Sequence, residues 1–219
     1  MSNPFLEKRW VMQEKDDLKI RFKTLYSAKK EPQEILVPPM QFLMVDGNGA
    51  PEGEPFQLAI RMLFSVSYTV KFLSKKEFGY DYTVMALEGL WWGEEMGVFS
   101  EGNKENWKWT LMIMQPEKIT ESLLDRAKEE VERKKKLQNL DQLRFETVNE
   151  GRSMQIMHIG PFSEEAEPIQ KIHRAILERG GTFDGIQQKH HEIYLSDFRK
   201  ANPSKLKTIL RQPFVLNKA

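Results

Sequence analysis

Glu192 and Tyr194 lie two residues apart in the stretch "KHHEIYLSDFRK", directly after His190 and His191. A carboxyl and a phenol at that spacing leave an extended strand on the same face, where they can share one acid–base task. Three chemistries are open to the stretch: a metal site, an acid in a pocket, or a polar sheet edge. Neighbouring histidines on a strand project to opposite faces, so His190 and His191 cannot easily hold one ion together. The other two histidines, His158 and His173, show no ligand spacing, and no metal site is expected. Alternation groups His191, Ile193 and Leu195 on one face and His190, Glu192, Tyr194 and Ser196 on the other. Ile193 and Leu195 suit a covering helix, which turns Glu192 and Tyr194 toward the opposite, concave face. The plainer alternative for Glu192 is a solvated carboxylate paired with a nearby Lys or Arg.

A second group surrounds "LEGLWW". With Leu87 set opposite Leu195, Glu88 takes the orientation of Glu192. Trp91 and Trp92 follow at once, and Trp107 and Trp109 come on the next strand, four tryptophans within 19 residues. Trp107 and Trp109 suit the core behind a sheet, whereas Trp91 and Trp92, beside glycines, are candidates for a pocket wall. The candidate ligand-binding set is Tyr82, Glu88, Trp91, Trp92, Glu192 and Tyr194, with Glu192 and Tyr194 the candidate catalytic pair.

The elements that must position these residues repeat. "EPFQLAIR" begins at Glu54 and "EPIQKIHR" at Glu167, 113 residues later, with Glu, Pro, Gln and Arg coinciding. Each follows an apolar strand ending at glycine, "MQFLMVDG" and "MQIMHIGPF". Each unit closes on a strand ending in Gln-Pro, at Pro116 and Pro213, 97 residues apart, so the first copy carries about 16 extra residues around "GEEMGVFSEGNKEN". Three matches in one order indicate duplication. The chain reads as an arm over residues 1–37 and a domain over 38–216. That domain divides into a first repeat at 38–117, a linking helix within 118–139 and a second repeat at 140–216. Within the first repeat, a strand runs from Met40 to Val45 and stops at Asp46-Gly47-Asn48-Gly49, a helix starts at Glu54-Pro55, and "YDYTVMALEGLWW" and "NWKWTLMIMQP" form strands. The expected fold is α+β: duplicated strand-helix-strand-strand units about a pseudo-twofold axis, forming an antiparallel sheet with helices on one side and a concave ligand cleft on the other.

Composition narrows the partners. The 219 residues are 40% hydrophobic and 30% charged with a net charge of +1, so the chain folds and lacks the basic excess of a nucleic-acid binder. Cysteine is absent, which removes disulfides, thiol nucleophiles and zinc ribbons and suits a reducing cytoplasm. No apolar run approaches the roughly 20 residues that span a bilayer. No membrane or nucleic-acid partner and no cofactor are expected; the oligomeric state stays open.

"LYSAKKEP", "MQFLMVDGNGAP", "SYTVKF", "LEGLWW" and "HHEIYLSDFRKANPSKLKTILRQP" together resemble the GyrI-like small-molecule-binding proteins, in the branch without a DNA-binding domain, from about Leu25 to Phe214. The resemblance implies the duplicated fold with a ligand cleft between its halves. It implies that Glu192-Ile193-Tyr194 matches a pocket Glu-x-Tyr, and it extends to members reported to hydrolyse cyclopropane-bearing DNA-alkylating natural products. On that basis Glu192 is expected to direct a water, Tyr194 to donate to the oxygen where charge develops, and the tryptophans to stack on a flat ligand. The alternatives are sequestration or sensing of lipophilic aromatic cations and a gyrase-inhibitor-like protein contact.

Overall fold

A computed structural model describes residues 14–92 and 107–217. The glycine-bearing insertion at 93–106 lies outside these residues. The arm supplies a short helix, α1 (Leu18–Arg21), and a strand, β1 (Gln33–Val37). The first repeat is β2 (Met40–Asn48), α2 (Glu54–Phe78), β3 (Leu87–Trp92) and β4 (Lys108–Gln115). Next come α3 (Glu121–Lys135) and β5 (Arg144–Val148). The second repeat is β6 (Gly151–Ile159), α4 (Ala166–Glu178), the two-residue β7 (Gly181–Thr182), β8 (His190–Tyr194) and β9 (Lys207–Pro213), and β10 (Val215–Leu216) closes the chain by pairing with β7.

Local chemistry sets these boundaries. Pro55 opens α2 in its first turn, where a missing N–H leaves no bond unmade, and Gly79 ends it in the left-handed region at φ 68°. The Thr120 hydroxyl accepts from Leu123 N–H to start α3. Only Leu87–Trp92 of "YDYTVMALEGLWW" is a ladder strand. Upstream the arm satisfies the backbone instead: Asp16 N–H donates to Asp81 C=O at 2.8 Å and Thr83 N–H to Asp16 C=O at 3.0 Å. The main chain there needs no sheet partner.

Among the described residues, eight strands form one antiparallel sheet that curls into a half-barrel, in the order β1-β6-β9-β8-β3-β4-β2-β5. The order reads the same from both ends: β6-β9-β8 of the second repeat meets β3-β4-β2 of the first, with β8 and β3 paired at the centre. The edges are exchanged. β1 precedes the first repeat yet pairs with β6 of the second, and β5, placed at the start of the second repeat by sequence, pairs with β2 of the first. Residues 33–37, placed in the arm by sequence, are therefore an edge strand that ties the halves together.

Helices α2 and α4 cover the same face of the sheet, α2 over β2 and β4, α4 over β6 and β9. The α+β architecture expected from the repeat is thus the observed one. Under α2 lies a large core that includes Leu43, Val45, Ile60, Leu63, Trp109, Leu111 and Ile113; under the shorter α4 lies a small one of Met154, Ile156, Ile172, Ile176, Leu210 and Phe214. The central strands β3 and β8 run between the two helices.

Candidate functional site

The register of β3 and β8 decides which side chains meet. Leu87 pairs with Tyr194, Gly89 with Glu192 and Trp91 with His190, and cross-strand partners share a face. Trp91 stacks on Phe56 of α2 at 5.7 Å, so this face is the helix-bearing one. Glu192 and Tyr194 therefore point into the gap between α2 and α4, not away from the helices as alternation suggested. The reason is physical: His191 and Ile193, on the other face, are as buried as any core residue. A strand covered on both sides has no solvent face for alternation to reveal.

In that gap Tyr194 O–H donates to Glu192 Oε2 at 2.7 Å, and Trp91 Nε1–H donates to the Tyr194 oxygen at 3.0 Å. A Cβ at Gly89 would stand 3.0 Å from both the Trp91 nitrogen and the Tyr194 oxygen, so glycine at this position is what lets the two side chains close over the strand. The rings of Phe162 and Phe198 meet Tyr194 edge-on at 5.9 and 5.5 Å. Burial, then the adjacent Glu192 carboxyl, hold the Tyr194 phenol well above its ordinary value. It stays protonated, with its single proton directed at Glu192.

Two further polar groups join the cluster. His190 Nε2 lies 3.5 Å from Glu192 Oε1. Glu165, the residue before α4, is only 5% exposed, and its side chain lies beside Thr208 of β9. Thr208 is the cross-strand partner of Tyr194, which puts Glu165 over the same patch of sheet as Glu192. Burial, then the Glu192 charge, push the Glu165 carboxyl up to about 10. Among the described residues, Glu165 Oε1 and His190 Nε2 are buried without a hydrogen-bond partner. The four-residue "SEEA" that holds Glu165 carries no periodicity or motif to mark it.

The opposite face of the same strands holds a second buried cluster. His191 Nε2 meets Glu88 Oε2 at 3.0 Å, and His191 Nδ1 meets Glu150 Oε1 at 3.0 Å. Arg211 Nη1 donates to Glu150 Oε2 at 3.0 Å, and its Nη2 donates to the Leu25 carbonyl at 2.6 Å. Tyr26 O–H donates to Glu88 Oε1 at 2.6 Å. Gln155 Nε2 donates to the carbonyls of Thr24 and Ser27, so the arm is fastened over this face by its own main chain. Burial alone would lower the His191 pKa, but Glu150 and Glu88 outweigh it and raise it to about 9. Burial likewise works against the Glu150 charge, and His191 and Arg211 still bring it down to about 2.

Of the six sequence candidates, Trp91, Glu192 and Tyr194 are brought together. Glu88 is not: it pairs with Ile193 rather than sharing the orientation of Glu192, and belongs to the arm-side cluster. Trp92 alternates away from Trp91 and lies under the Lys189 ammonium at 3.6 Å. Tyr82 is packed in the core, donating to Gln115 Oε1 at 3.3 Å. Among the described residues no group of three or more His, Cys, Asp or Glu side chains is arranged to hold a metal ion.

The family model of the GyrI-like small molecule binding domain matches residues 30–213. The chain belongs to the GyrI-like family. An uncharacterized conserved protein from Listeria innocua is 43% identical over 92% of this chain and 100% of its own, with a TM-score of 0.84. A hydrolase from Listeria innocua is 42% identical with the same coverages and TM-score. The C-terminal domain of EcmrR, 9% identical over 85% of this chain and 98% of its own with a TM-score of 0.53, shares the fold. No curated protein matches.

In this GyrI-like domain a cavity of about 700 Å³ runs beside α2 and ends at Tyr194, within the size range of small-molecule sites. Phe64, Tyr68 and Phe198 give it aromatic walls, and Met85 and Leu87 an apolar floor. Its rim is basic: Lys19, Arg61, Lys135, Arg199 and Lys200 against one acid, Asp197, which Arg199 Nε already engages at 2.8 Å. Among the described residues no helix is long and apolar enough to cross a membrane.

Proposed function

We propose that this protein is a hydrolase of flat, electrophilic aromatic compounds that carry a cyclopropane ring conjugated to a carbonyl, and that it detoxifies DNA-alkylating molecules of that class in the cytoplasm. The observation that carries the proposal is the chain Trp91 N–H to Tyr194 O–H to Glu192 at the end of an aromatic-walled cavity. A carboxyl held by a neutral donor in a poorly hydrated site is placed to take a proton from water. The hydroxyl of that water bonds to the strained ring carbon, the ring C–C bond breaks, and its electron pair moves through the conjugated system to the carbonyl oxygen. Ring strain supplies driving force, so the chemistry calls for no metal or cofactor. Tyr194 acts here by fixing Glu192, since its proton is engaged, and Trp91 in turn fixes Tyr194. The 42% identity to a Listeria innocua hydrolase supports an enzyme over a carrier.

The rival reading is capture of lipophilic cations by a buried acid and aromatics. The basic rim weighs against it, because a cation entering the cavity passes more like than unlike charge. The deciding experiment is a mass-spectrometric time course of a cyclopropane-fused dienone with the purified protein, its Glu192→Gln variant and a protein-free control. A water adduct formed catalytically and lost in the variant is expected. Bound but unaltered compound would replace hydrolysis with sequestration.

A further inference from the structure

We propose that Glu165 is the second acid of the site, holding the proton that the carbonyl oxygen of the opened ring receives while Glu192 accepts the proton of the attacking water. The inference rests on the hydrolase reading above and names the donor that reading lacks. Hydrolysis splits water into a hydroxyl, which joins carbon, and a proton, and the oxygen that gains the ring's electron pair must be protonated to give a phenol. Two of the donors already in view are committed, Tyr194 giving its only proton to Glu192 and Trp91 its own to Tyr194, and the third, His190 Nε2, stands beside the base itself, 3.5 Å from Glu192 Oε1.

Glu165 is placed to fill that role. It is the N-cap residue of α4, yet its side chain makes no capping bond to its own helix. It lies against the sheet beside Thr208, with Oε1 buried without a partner among the described residues. A helix N-terminus favours an ionised carboxyl. Here burial and the nearby Glu192 win, because two carboxyls that share a dry patch of the sheet resist ionising together. The other groups around them are His190 and Tyr194 on β8, His158 on β6 and His173 on α4; His173 is itself brought down to about 4, by burial and then by His190. His158 Nε2 is occupied by the Pro161 carbonyl at 3.1 Å, and no Lys or Arg is seen bound to either carboxyl among the described residues. In one turnover Glu165 loses a proton and Glu192 gains one, so the pair carries the same total charge before and after. A proton passing between the two carboxyls restores the starting state.

The test has two readouts. Carboxyl carbon NMR of the ligand-free protein, labelled at glutamate, should show one protonated side chain at neutral pH that titrates near 10 and is absent in Glu165→Gln. Turnover of a cyclopropane-fused dienone should fall in wild type as pH rises past the same point. Glu165→Gln should cut kcat by about 10²- to 10⁴-fold and abolish that alkaline limb. Glu165→Asp should restore part of the rate and the limb, and thermal melting of each variant controls for folding. An ionised Glu165 at neutral pH in an active enzyme overturns the inference alone. So does a Glu165→Gln enzyme with an intact limb, or a limb that vanishes instead in His190→Gln. A wild type that binds the dienone without consuming it overturns the hydrolase reading and the donor role together, and the two failures are thereby told apart.

Discussion

The central strands carry two buried, acid-rich clusters back to back, and they differ in how their charge is settled. On the arm side, Glu88 and Glu150 face His191 and Arg211, with Tyr26 and three arm carbonyls completing the bonds. On the helix side, Glu192 and Glu165 lie over the same patch of sheet as a neutral phenol, and two buried polar atoms have no partner among the described residues. The first arrangement spends every polar group on holding the arm down. The second keeps acidity in reserve, at a cost in stability, which is the mark of a site meant to act on something else.

The sharpest way to break that contrast is to neutralise one acid on each side. Glu192→Gln should reduce turnover by about 10²- to 10⁴-fold while affinity for a neutral ligand stays within a few-fold and the thermal midpoint barely moves. Single-turnover kinetics with a binding titration checks this, and unchanged turnover removes Glu192 from the chemistry. The arm side should answer in the opposite currency. Arg211→Leu strands Glu150 with one fewer cation in a dry environment and should cost about 3–5 kcal/mol of stability, measured by urea unfolding, with kcat per folded molecule unchanged. A variant that loses rate but not stability would make the arm-side cluster part of the active machinery.

The repeat was legible because it recurs in three pieces: the Glu-Pro helix starts, the strand-ending glycines and the closing Gln-Pro pairs. The helix starts and the closing pairs match observed element ends, but of the glycines only Gly160 follows its strand: Gly47 lies inside β2, which runs on to Asn48 in register with β4. The edge exchange of β1 and β5 was not, since pairing across the pseudo-twofold leaves no trace in either strand's own residues. The site was legible in kind but not in orientation. "HHEIY" and "LEGLWW" are each buried on both faces, so Glu88 was grouped with Glu192 although the two point in opposite directions. Glu165 was invisible for a different reason: only the fold brings it over Thr208.

The two clusters should also separate by pH. Glu165 has its folded pKa raised from 4.5 to about 10. The unfolded chain releases that proton first, so the contribution of Glu165 to stability is full below about 4.5 and is lost progressively up to about 10. His191, raised from 6.5 to about 9, contributes fully below 6.5 and loses its share as pH climbs through 9. Glu150 runs the other way: lowered from 4.5 to about 2, it contributes above 4.5 and fails as pH falls toward 2. Urea midpoints measured across pH should therefore decline from weakly acid to alkaline conditions. Glu165→Gln should remove the part of that decline beginning near 4.5 and be more stable than wild type at neutral pH. His191→Gln should remove only the part between 6.5 and 9. If Glu165→Gln leaves the slope unaltered, its carboxyl is ionised like those on the arm side and the contrast fails.

The smallest effects belong to the two hydroxyls, and they give the finest comparison because the geometry is nearly matched: Tyr26 donates to Glu88 at 2.6 Å and Tyr194 to Glu192 at 2.7 Å. Removing either by substitution to Phe deletes one hydrogen bond to a carboxyl and should cost about 1–3 kcal/mol of stability. In Tyr26→Phe, Glu88 still has His191 on its other oxygen, so the loss should end there, with kcat intact. In Tyr194→Phe, Glu192 loses its donor and Trp91 N–H its acceptor together, so the carboxyl loses the support that aims it. Turnover should drop about tenfold with KM little changed, the signature of a positioning group rather than a proton donor. A loss as deep as that of Glu192→Gln would instead make the Tyr194 proton part of the reaction and take the donor role away from Glu165.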